Sequence, residues 1–261
     1  MFDLLNRLID KLPFAQAMAS RELKGLNKGA MLGMGWLVLR PFIQVVAYVA
    51  IVTFVFGARL NPQAGPVDYA LHVLAGLFAW HILQRALEDS CSLIRDRMEI
   101  LKQVAYPIET LPITAFLVTA IGPAILLSVY LILAGISGTL VPSVLLLPLP
   151  LALLFAMLLG LSWLFMVVGV VLKDLREVIS VMMALLIYFS PVLLSETMVP
   201  AWLWRAILMN PLSHVIIAFR DVLQGGFHPG SWLVFLLLTA TSLAIGGFVI
   251  TRAKVRINEY I

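Results

Sequence analysis

Charged residues are scarce in this sequence. Of its 261 residues, 12% are charged and 62% are hydrophobic, and the mean hydropathy is +1.02. Soluble domains carry about 25% charged residues, so this chain has too little polar surface to coat a water-soluble globule. The composition therefore predicts an integral membrane protein. The net charge of +4 does not indicate a nucleic-acid partner, because the basic residues cluster at the ends of apolar stretches, where they set topology and contact anionic lipid.

The residue types that carry most catalytic and ligand chemistry are also scarce or scattered. Cys91 is the single cysteine, so an intrachain disulfide is excluded. The four histidines form no close-spaced ligand pair, and no G-x-x-x-x-G-K-[ST] loop is present to bind ATP. No carboxylate pair lies deep in an apolar stretch, which argues against a proton-coupled carrier. We therefore expect no catalytic, cofactor or metal site in this chain.

Apolar stretches of about the length needed to cross a ~30 Å hydrocarbon core dominate the rest of the chain. They predict an all-α fold of one transmembrane domain with six membrane spans, at residues 36–56, 67–87, 111–136, 148–172, 178–194 and 232–250. Gly122-Pro123 predicts a kink in the third span. This topology places 15 of the 18 Lys and Arg residues on the cytoplasmic side, and Arg59, Arg205 and Arg220 on the other. Such a bias predicts that both termini are cytoplasmic.

Residues 1–30 are expected to lie along the membrane surface. Leu5, Leu8, Ile9 and Leu12 share one helical face, and charged residues lie off it, which is typical of an amphipathic interface helix. The segment either serves only as an anchor or also docks a cytoplasmic partner. Residues 1–20 hold no continuous apolar core of a signal peptide, so we expect no cleaved leader.

A second amphipathic helix is predicted over residues 88–104, between spans two and three, and ends before Pro107. Its apolar face holds Leu87, Cys91, Ile94, Met98 and Leu101. Its charged side chains are Glu88, Asp89, Arg95, Asp96, Arg97, Glu99 and Lys102. Four acids against three bases are a poor fit to an anionic leaflet and favour a protein partner of complementary charge. The alternative is a surface anchor.

Residues 195–230 are predicted to form re-entrant or interfacial helices between spans five and six. Apolar runs of about 10–14 residues alternate there with breakers such as Pro200, Asn210-Pro211 and Gly225-Gly226, and such runs are too short to span the bilayer.

Several motifs, in order along nearly the whole chain, resemble the membrane subunits of bacterial polysaccharide ABC exporters. They are Arg21-Glu22-Leu23-Lys24, Leu32-Gly33 with Trp36 and Pro41, Gly76-Leu77-Phe78-Ala79-Trp80, Tyr106-Pro107-Ile108-Glu109 with Leu111-Pro112, Lys173-Asp174-Leu175, Ser190-Pro191, Asn210-Pro211-Leu212 and Arg220-Asp221. Two positions depart from that pattern. Leu26-Asn27 stand where the family often has Arg-Tyr, and Lys173 stands where it often has Arg.

The resemblance implies a permease of the bacterial cytoplasmic membrane that exports a lipid-linked polysaccharide such as O-antigen, capsule or teichoic acid. It implies a homodimer with two copies of a separate ATPase that binds ATP and Mg²⁺. It also implies that residues 88–104 couple the permease to this ATPase. Rival functions are a permease of the same fold for a drug or lipid, and a membrane glycosyltransferase, against which the missing buried carboxylates and metal ligands argue.

Candidate residues for the transport path follow from this interpretation. Channel or substrate candidates are Arg40, Tyr48, Phe54, Phe56, Trp163 and Tyr188. Exit candidates are Trp202, Trp204, Arg220 and Asp221. Arg40 lies four residues into the first span and either snorkels to the headgroups or contacts an anionic substrate. The aromatic residues either pack or offer their faces to sugars, and the exit candidates either shape the exit or anchor the interface.

Overall fold

The structure, a computed structural model, describes residues 10–25, 35–50, 65–103 and 107–260, and all regular structure in these ranges is helical. The α-helices are α1 Leu12–Gly25, α2 Gly35–Ala50, α3 Pro66–Ser90, α4 Leu93–Asp96, α5 Met98–Gln103, α6 Leu111–Thr119, α7 Ile121–Ile136, α8 Pro148–Val171, α9 Leu175–Leu186, α10 Ala201–Met209, α11 Pro211–Gln224 and α12 Pro229–Tyr260. Short 3₁₀ turns lie at Ile108–Thr110, Pro142–Leu146 and Glu196–Met198.

Three segments of the described ranges are long and apolar enough to cross a membrane, and they match three of the predicted spans. They are Val67–Ser90, Pro142–Val171 and Pro229–Ala253. Two bent helix pairs raise the number to five if each pair is one span. The first predicted span is helical over Gly35–Ala50, and its remaining residues, 51–56, lie outside the described part of the chain.

The predicted kink of the third span is confirmed. The segments Ile108–Thr119 and Ile121–Ile136 meet at an angle of 42°. Pro123 lies in the first turn of α7, where its missing N–H and its ring disfavour continuation of the α6 ladder. The bend therefore has a local cause in the sequence.

The predicted fifth span, 178–194, is helical only in its first part, and its membrane crossing stays a prediction. Helix α9 ends at Leu186, and residues 187–193 form turns. Pro191 disfavours helix at the residue before it, and Ser190 bonds locally, donating from Oγ to the Ile187 carbonyl at 2.7 Å. The twelve residues of α9 cover about 18 Å, short of a full membrane crossing.

Helices α10 and α11 have the geometry expected of a re-entrant segment, since their axes differ by 102°. The bend lies at Asn210-Pro211, where the Asn210 side chain accepts the Leu212 N–H at 3.1 Å. The end of α10 is capped from α11: Ser213 Oγ donates to the Ile207 carbonyl at 2.7 Å, and His214 Nε2 lies 3.0 Å from the Leu208 carbonyl. The membrane position of this pair stays a prediction.

Helices α8 and α12 approach each other through glycine. A Cβ atom on Gly160 would lie 2.3 Å from the Ser242 carbonyl group, and one on Gly246 would lie 1.9 Å from the Gly160 carbonyl oxygen. Small residues at such crossings let helix backbones come close in a membrane protein. The described core forms two clusters, a large one around Trp80 and Phe219 and a smaller one around Trp163 and Leu93.

Side-chain contacts group the described elements at two ends of the molecule. The smaller cluster brings together α4, α5, the start of α6 and the end of α8, with Phe14 and Met18 of α1 packed against it. At the other end, the start of α3 contacts residues 192–194, and Tyr130 Oη donates to the Leu223 carbonyl at 2.6 Å. We refer to these ends as the coupling end and the outer end, after the predicted topology, and the side of the membrane that each faces stays a prediction.

Candidate functional site

The predicted helix 88–104 is broken into three pieces at the coupling end. Helix α3 continues to Ser90, a turn follows at Cys91 and Ser92, and α4 and α5 are separated at Arg97. The turn is tightly packed, since a Cβ on Gly169 of α8 would lie 1.9 Å from the Cys91 carbonyl oxygen. The single long helix is therefore wrong, because tertiary packing against α8 and the Ser92 turn redirect the chain.

The predicted apolar face of this segment is nonetheless confirmed. Leu87, Cys91, Ile94 and Leu101 are at most 6% exposed, and Met98 is half-buried against the same cluster. Burial also raises the pKa of the Cys91 thiol to about 11. The segment is thus seated on the helix bundle.

Ion pairs tie this segment to two neighbouring parts of the chain. Arg176, in the first turn of α9, lies 3.6 Å from an Asp89 oxygen and 3.7 Å from an Asp96 oxygen, and donates to Ser92 Oγ at 3.2 Å. Ser92 Oγ in turn donates to Asp96 at 2.7 Å. The start of α9 is therefore linked to the coupling segment.

The second tie joins the coupling segment to the interface helix α1. Arg97 donates from Nη2 to both carboxylate oxygens of Glu22, at 2.8 and 2.9 Å. Only 15% of the Arg97 side chain is exposed, so water screens this pair less than a surface pair. Lys11 lies 3.7 Å from the buried carboxylate of Glu109. Helix α1 is thus tied to the coupling segment by the Arg97–Glu22 ion pair.

The remaining charged side chains of the segment that the structure describes are either half-buried or exposed. Glu88 is half-buried and accepts from Gln84 at 2.9 Å, and Arg95 is half-buried. The Asp96 side chain is 56% exposed, and Glu99 is also exposed. Of the predicted coupling residues, Asp96 and Glu99 therefore offer the most accessible carboxylates to a partner.

The structure describes the side chains of two of the six channel candidates, Trp163 and Tyr188. Trp163 is completely buried and donates from Nε1 to the Glu109 carbonyl at 3.1 Å, so it packs inside this chain. Tyr188 is 59% exposed at the outer end. Arg40 and Tyr48 belong to α2, but their side chains, like residues Phe54 and Phe56, lie outside the described part.

Arg220 and Asp221 have different partners at the outer end and do not pair with each other. Arg220 donates from Nη2 to the carbonyls of His72 and Val192, at 3.1 and 2.9 Å. Asp221 accepts from the His228 N–H at 2.8 Å and from Trp232 Nε1 at 2.9 Å, and lies 2.6 Å from His228 Nδ1. Arg220 thus joins α3 to the 190–194 turn, whereas Asp221 holds the start of α12.

Three consecutive carbonyls after α9 are bound by side chains. The Val192 carbonyl accepts from Arg220, the Leu193 carbonyl from Tyr69 Oη at 3.0 Å, and the Leu194 carbonyl lies 3.3 Å from His72 Nε2. Buried backbone outside a helix needs such partners, because a carbonyl without a donor there costs free energy. We call Tyr69, His72 and Arg220 the carbonyl clamp.

Sequence reasoning missed Tyr69 and His72, although the pattern held a signal. Tyr69, His72 and Gly76 share one face of α3 at helical spacing, within a run that is otherwise largely apolar. Gly76 leaves room for the clamp, since a Cβ there would lie 2.9 Å from the Val192 Cα atom and 3.0 Å from Arg220 Nη2.

Two openings lie at opposite ends of the described structure. A cleft of about 520 Å³ at the coupling end lies between α1, residues 93–97 and α6, and contains Arg21 and Asp89 in its lining. A cavity of about 830 Å³ at the outer end, here called the outer cavity, lies between α3, α10, α11 and the start of α12. Trp204 lines it, whereas Trp202 does not line it and is 70% exposed.

Within the residues that the structure describes, no group of three or more His, Cys, Asp and Glu side chains is placed to hold a metal ion. The described residues have the arrangement of a helical membrane protein, with apolar helices, a charged segment seated at one end, and a broken helix with bound carbonyls at the other.

Comparison with known proteins makes this class specific. Residues 15–224 match the family described as ABC-2 type transporter, so the chain belongs to that family. It is 22% identical over 243 residues to the O-antigen export system permease protein RfbA of Klebsiella pneumoniae, covering 92% of each chain. It is 26% identical over 236 residues to the polysialic acid transport protein KpsM of Escherichia coli, covering 88% of this chain and 90% of that protein. The O-antigen export system permease protein RfbA of Myxococcus xanthus is 23% identical over 210 residues, which are 79% of this chain and 78% of that protein.

Proposed function

We propose that this chain is the membrane subunit of an ATP-driven exporter of lipid-linked polysaccharide in the bacterial cytoplasmic membrane. The observation that carries the proposal is the family match over residues 15–224, together with relatives named for O-antigen export and polysialic acid transport that align over about nine-tenths of the chain. Both termini would be cytoplasmic. The drug or lipid permease and the glycosyltransferase remain less favoured, since no relative with either name supports them.

The transport path is proposed to run between two copies of the chain. The interior between its two ends is filled with large side chains that are at most 2% exposed, among them Trp80, Leu83, Tyr130, Phe219 and Phe235. A hydrated glycan needs a wide polar path, which close packing of this kind does not offer. A homodimer with the channel at its interface resolves this conflict. Arg40, Tyr48, Phe54, Phe56 and Tyr188 are the channel candidates that remain.

The energy source is proposed to be a separate ATPase, bound in two copies at the coupling end, with ATP and Mg²⁺ held by that subunit. The seated segment 88–103 supports this role, because Asp96 and Glu99 are exposed while its apolar side chains are buried. Closure of the ATPases would push on this segment and, through Arg176 and Arg97, on α9 and α1.

Deletion of the gene in its source organism tests the transport role. We expect the surface glycan to disappear and lipid-linked glycan to accumulate inside the cell, with recovery when the gene is restored on a plasmid. The purified chain in nanodiscs should hydrolyse no ATP until the ATPase is added. Unchanged surface glycan in the deletion strain would refute the proposal.

The coupling role is tested by reversing the two exposed charges, with Asp96→Lys and Glu99→Lys together. The Arg176–Asp96 contact is a surface pair, and such pairs contribute about 0–1 kcal/mol, so insertion and thermal stability should change little. Affinity for the ATPase, or the ratio of export to hydrolysis, should fall. Lys173→Glu with Asp174→Lys, an exposed pair outside the segment, is the matched control. Normal affinity and export in the double variant would show that the segment is only a surface anchor.

A further inference from the structure

The outer cavity has the lining of a ligand site. Its volume of about 830 Å³ lies within the roughly 300–1,000 Å³ of typical small-molecule sites. The floor includes Arg220 and Asp221, which are 9% and 3% exposed, and the rim includes Glu196, Arg205 and Gln224. Hydrogen-bond donors and acceptors therefore face one space from several elements.

The charges of this lining balance. Arg205 and Arg220 are offset by Glu196 and Asp221. A phosphate or pyrophosphate group would meet both carboxylates, and desolvating an anion beside like charge is unfavourable. A neutral polyhydroxyl ligand suits the lining better, because each hydroxyl both donates to a carboxylate and accepts from a guanidinium or amide.

Two further features point to such an occupant. Arg220 Nε is buried and has no hydrogen-bond acceptor among the described residues, and no carboxylate of these residues lies within 4.0 Å of the Arg220 guanidinium. A buried cation without a counter-ion is stabilised by added oxygen acceptors. Trp204 is half-buried in the wall, and an indole face packs against the apolar face of a sugar ring.

We propose that the outer cavity is a carbohydrate subsite, in which Trp204 packs on a sugar ring while Glu196, Arg205 and Gln224 bind its hydroxyl groups. This inference rests on the proposed export function and deepens it. The subsite would hold a short stretch of the glycan at the outer end. Trp202, two residues away and outside the cavity, takes no part.

Binding is measured on the full chain in nanodiscs. Phe227→Cys, which lies beside the lining residues Gly226 and His228 but is not itself part of the lining and is 74% exposed, is labelled with a small fluorophore, and the buried Cys91 leaves little background. The probes are the source organism's own surface glycan, released from its lipid by mild acid, and inorganic phosphate. The glycan should change the fluorescence saturably and phosphate should not. Loss of one aromatic packing contact in Trp204→Ala should weaken glycan binding about two- to tenfold, Trp204→Phe should restore most of it, and Trp202→Ala should match the parent.

The proposal is overturned if glycan gives no saturable signal, if phosphate alone competes for the site, or if Trp204→Ala and Trp202→Ala bind glycan equally. The gene deletion separates this failure from that of the export function. A deletion strain that lacks surface glycan, with Trp204 variants indistinguishable from Trp202 variants, refutes the subsite alone. A deletion strain with normal surface glycan refutes the export function as well.

Discussion

The carbonyl clamp makes a quantitative prediction about stability. Arg220→Met removes the donor from two buried carbonyl groups, those of His72 and Val192, and Tyr69→Phe removes it from one, that of Leu193. A buried acceptor left without a partner costs about 1–3 kcal/mol. The His72 carbonyl lies inside α3 and keeps the N–H of Gly76 as its helical partner, so the cost for Arg220→Met falls on the Val192 carbonyl and is about 1–3 kcal/mol. We expect the lower half of this range for Arg220→Met, because removing the buried guanidinium also removes the free-energy cost of its desolvation.

Thermal unfolding in detergent, read as the monodisperse fraction remaining after heating, measures this effect. At about 2 °C per kcal/mol for a chain of this size, Arg220→Met should lower the midpoint by roughly 2–4 °C and Tyr69→Phe by roughly 2–6 °C. Arg205→Met, at an exposed position, is the control for loss of charge and should shift it by at most about 1 °C.

The clamp also decides between the two sequence-based interpretations of Arg220. If it acts through the backbone of residues 190–194, export by Arg220→Met should fall in proportion to the loss of folded protein. A midpoint equal to that of the control would refute the clamp. If export were also lost in that stable variant, Arg220 would instead contact the substrate at the exit.

Two other predictions concern topology and helix packing. A cysteine placed by Phe227→Cys, at a position 74% exposed at the outer end, should react with an impermeant thiol reagent added outside intact cells, whereas one placed by Lys173→Cys should not. The native Cys91 is buried and should not react. The reverse pattern would show that the charge bias misassigned the two sides of the membrane. Gly160→Val should separate α8 from α12 and lower the yield of folded protein, because even a Cβ at this position would lie 2.3 Å from the Ser242 carbonyl group. Gly230→Ala is the control and should fold normally, because its new Cβ has no atom within 4 Å. Equal yields of the two variants would refute a close crossing of α8 and α12.

The sequence by itself determined what depends on composition and local pattern. Few charges over long apolar stretches require a membrane protein, and Pro123 and Asn210-Pro211 disfavour helix continuation wherever they are placed in the fold. The apolar face of residues 87–101 was likewise readable, because its spacing follows the helical repeat.

Only the tertiary structure decided how the polar residues are used. Arg220 and Asp221 are neighbours in sequence, yet successive helical side chains point in different directions, so one reaches α3 and the other the start of α12. The course of residues 193 and 194, beyond the end of α9, depends on Tyr69 and His72, more than a hundred positions earlier, whose side chains lie within hydrogen-bond distance of the Leu193 and Leu194 carbonyls. The turn at Cys91 depends on Gly169 of α8. Each of these outcomes is set by a long-range contact, which no local periodicity encodes.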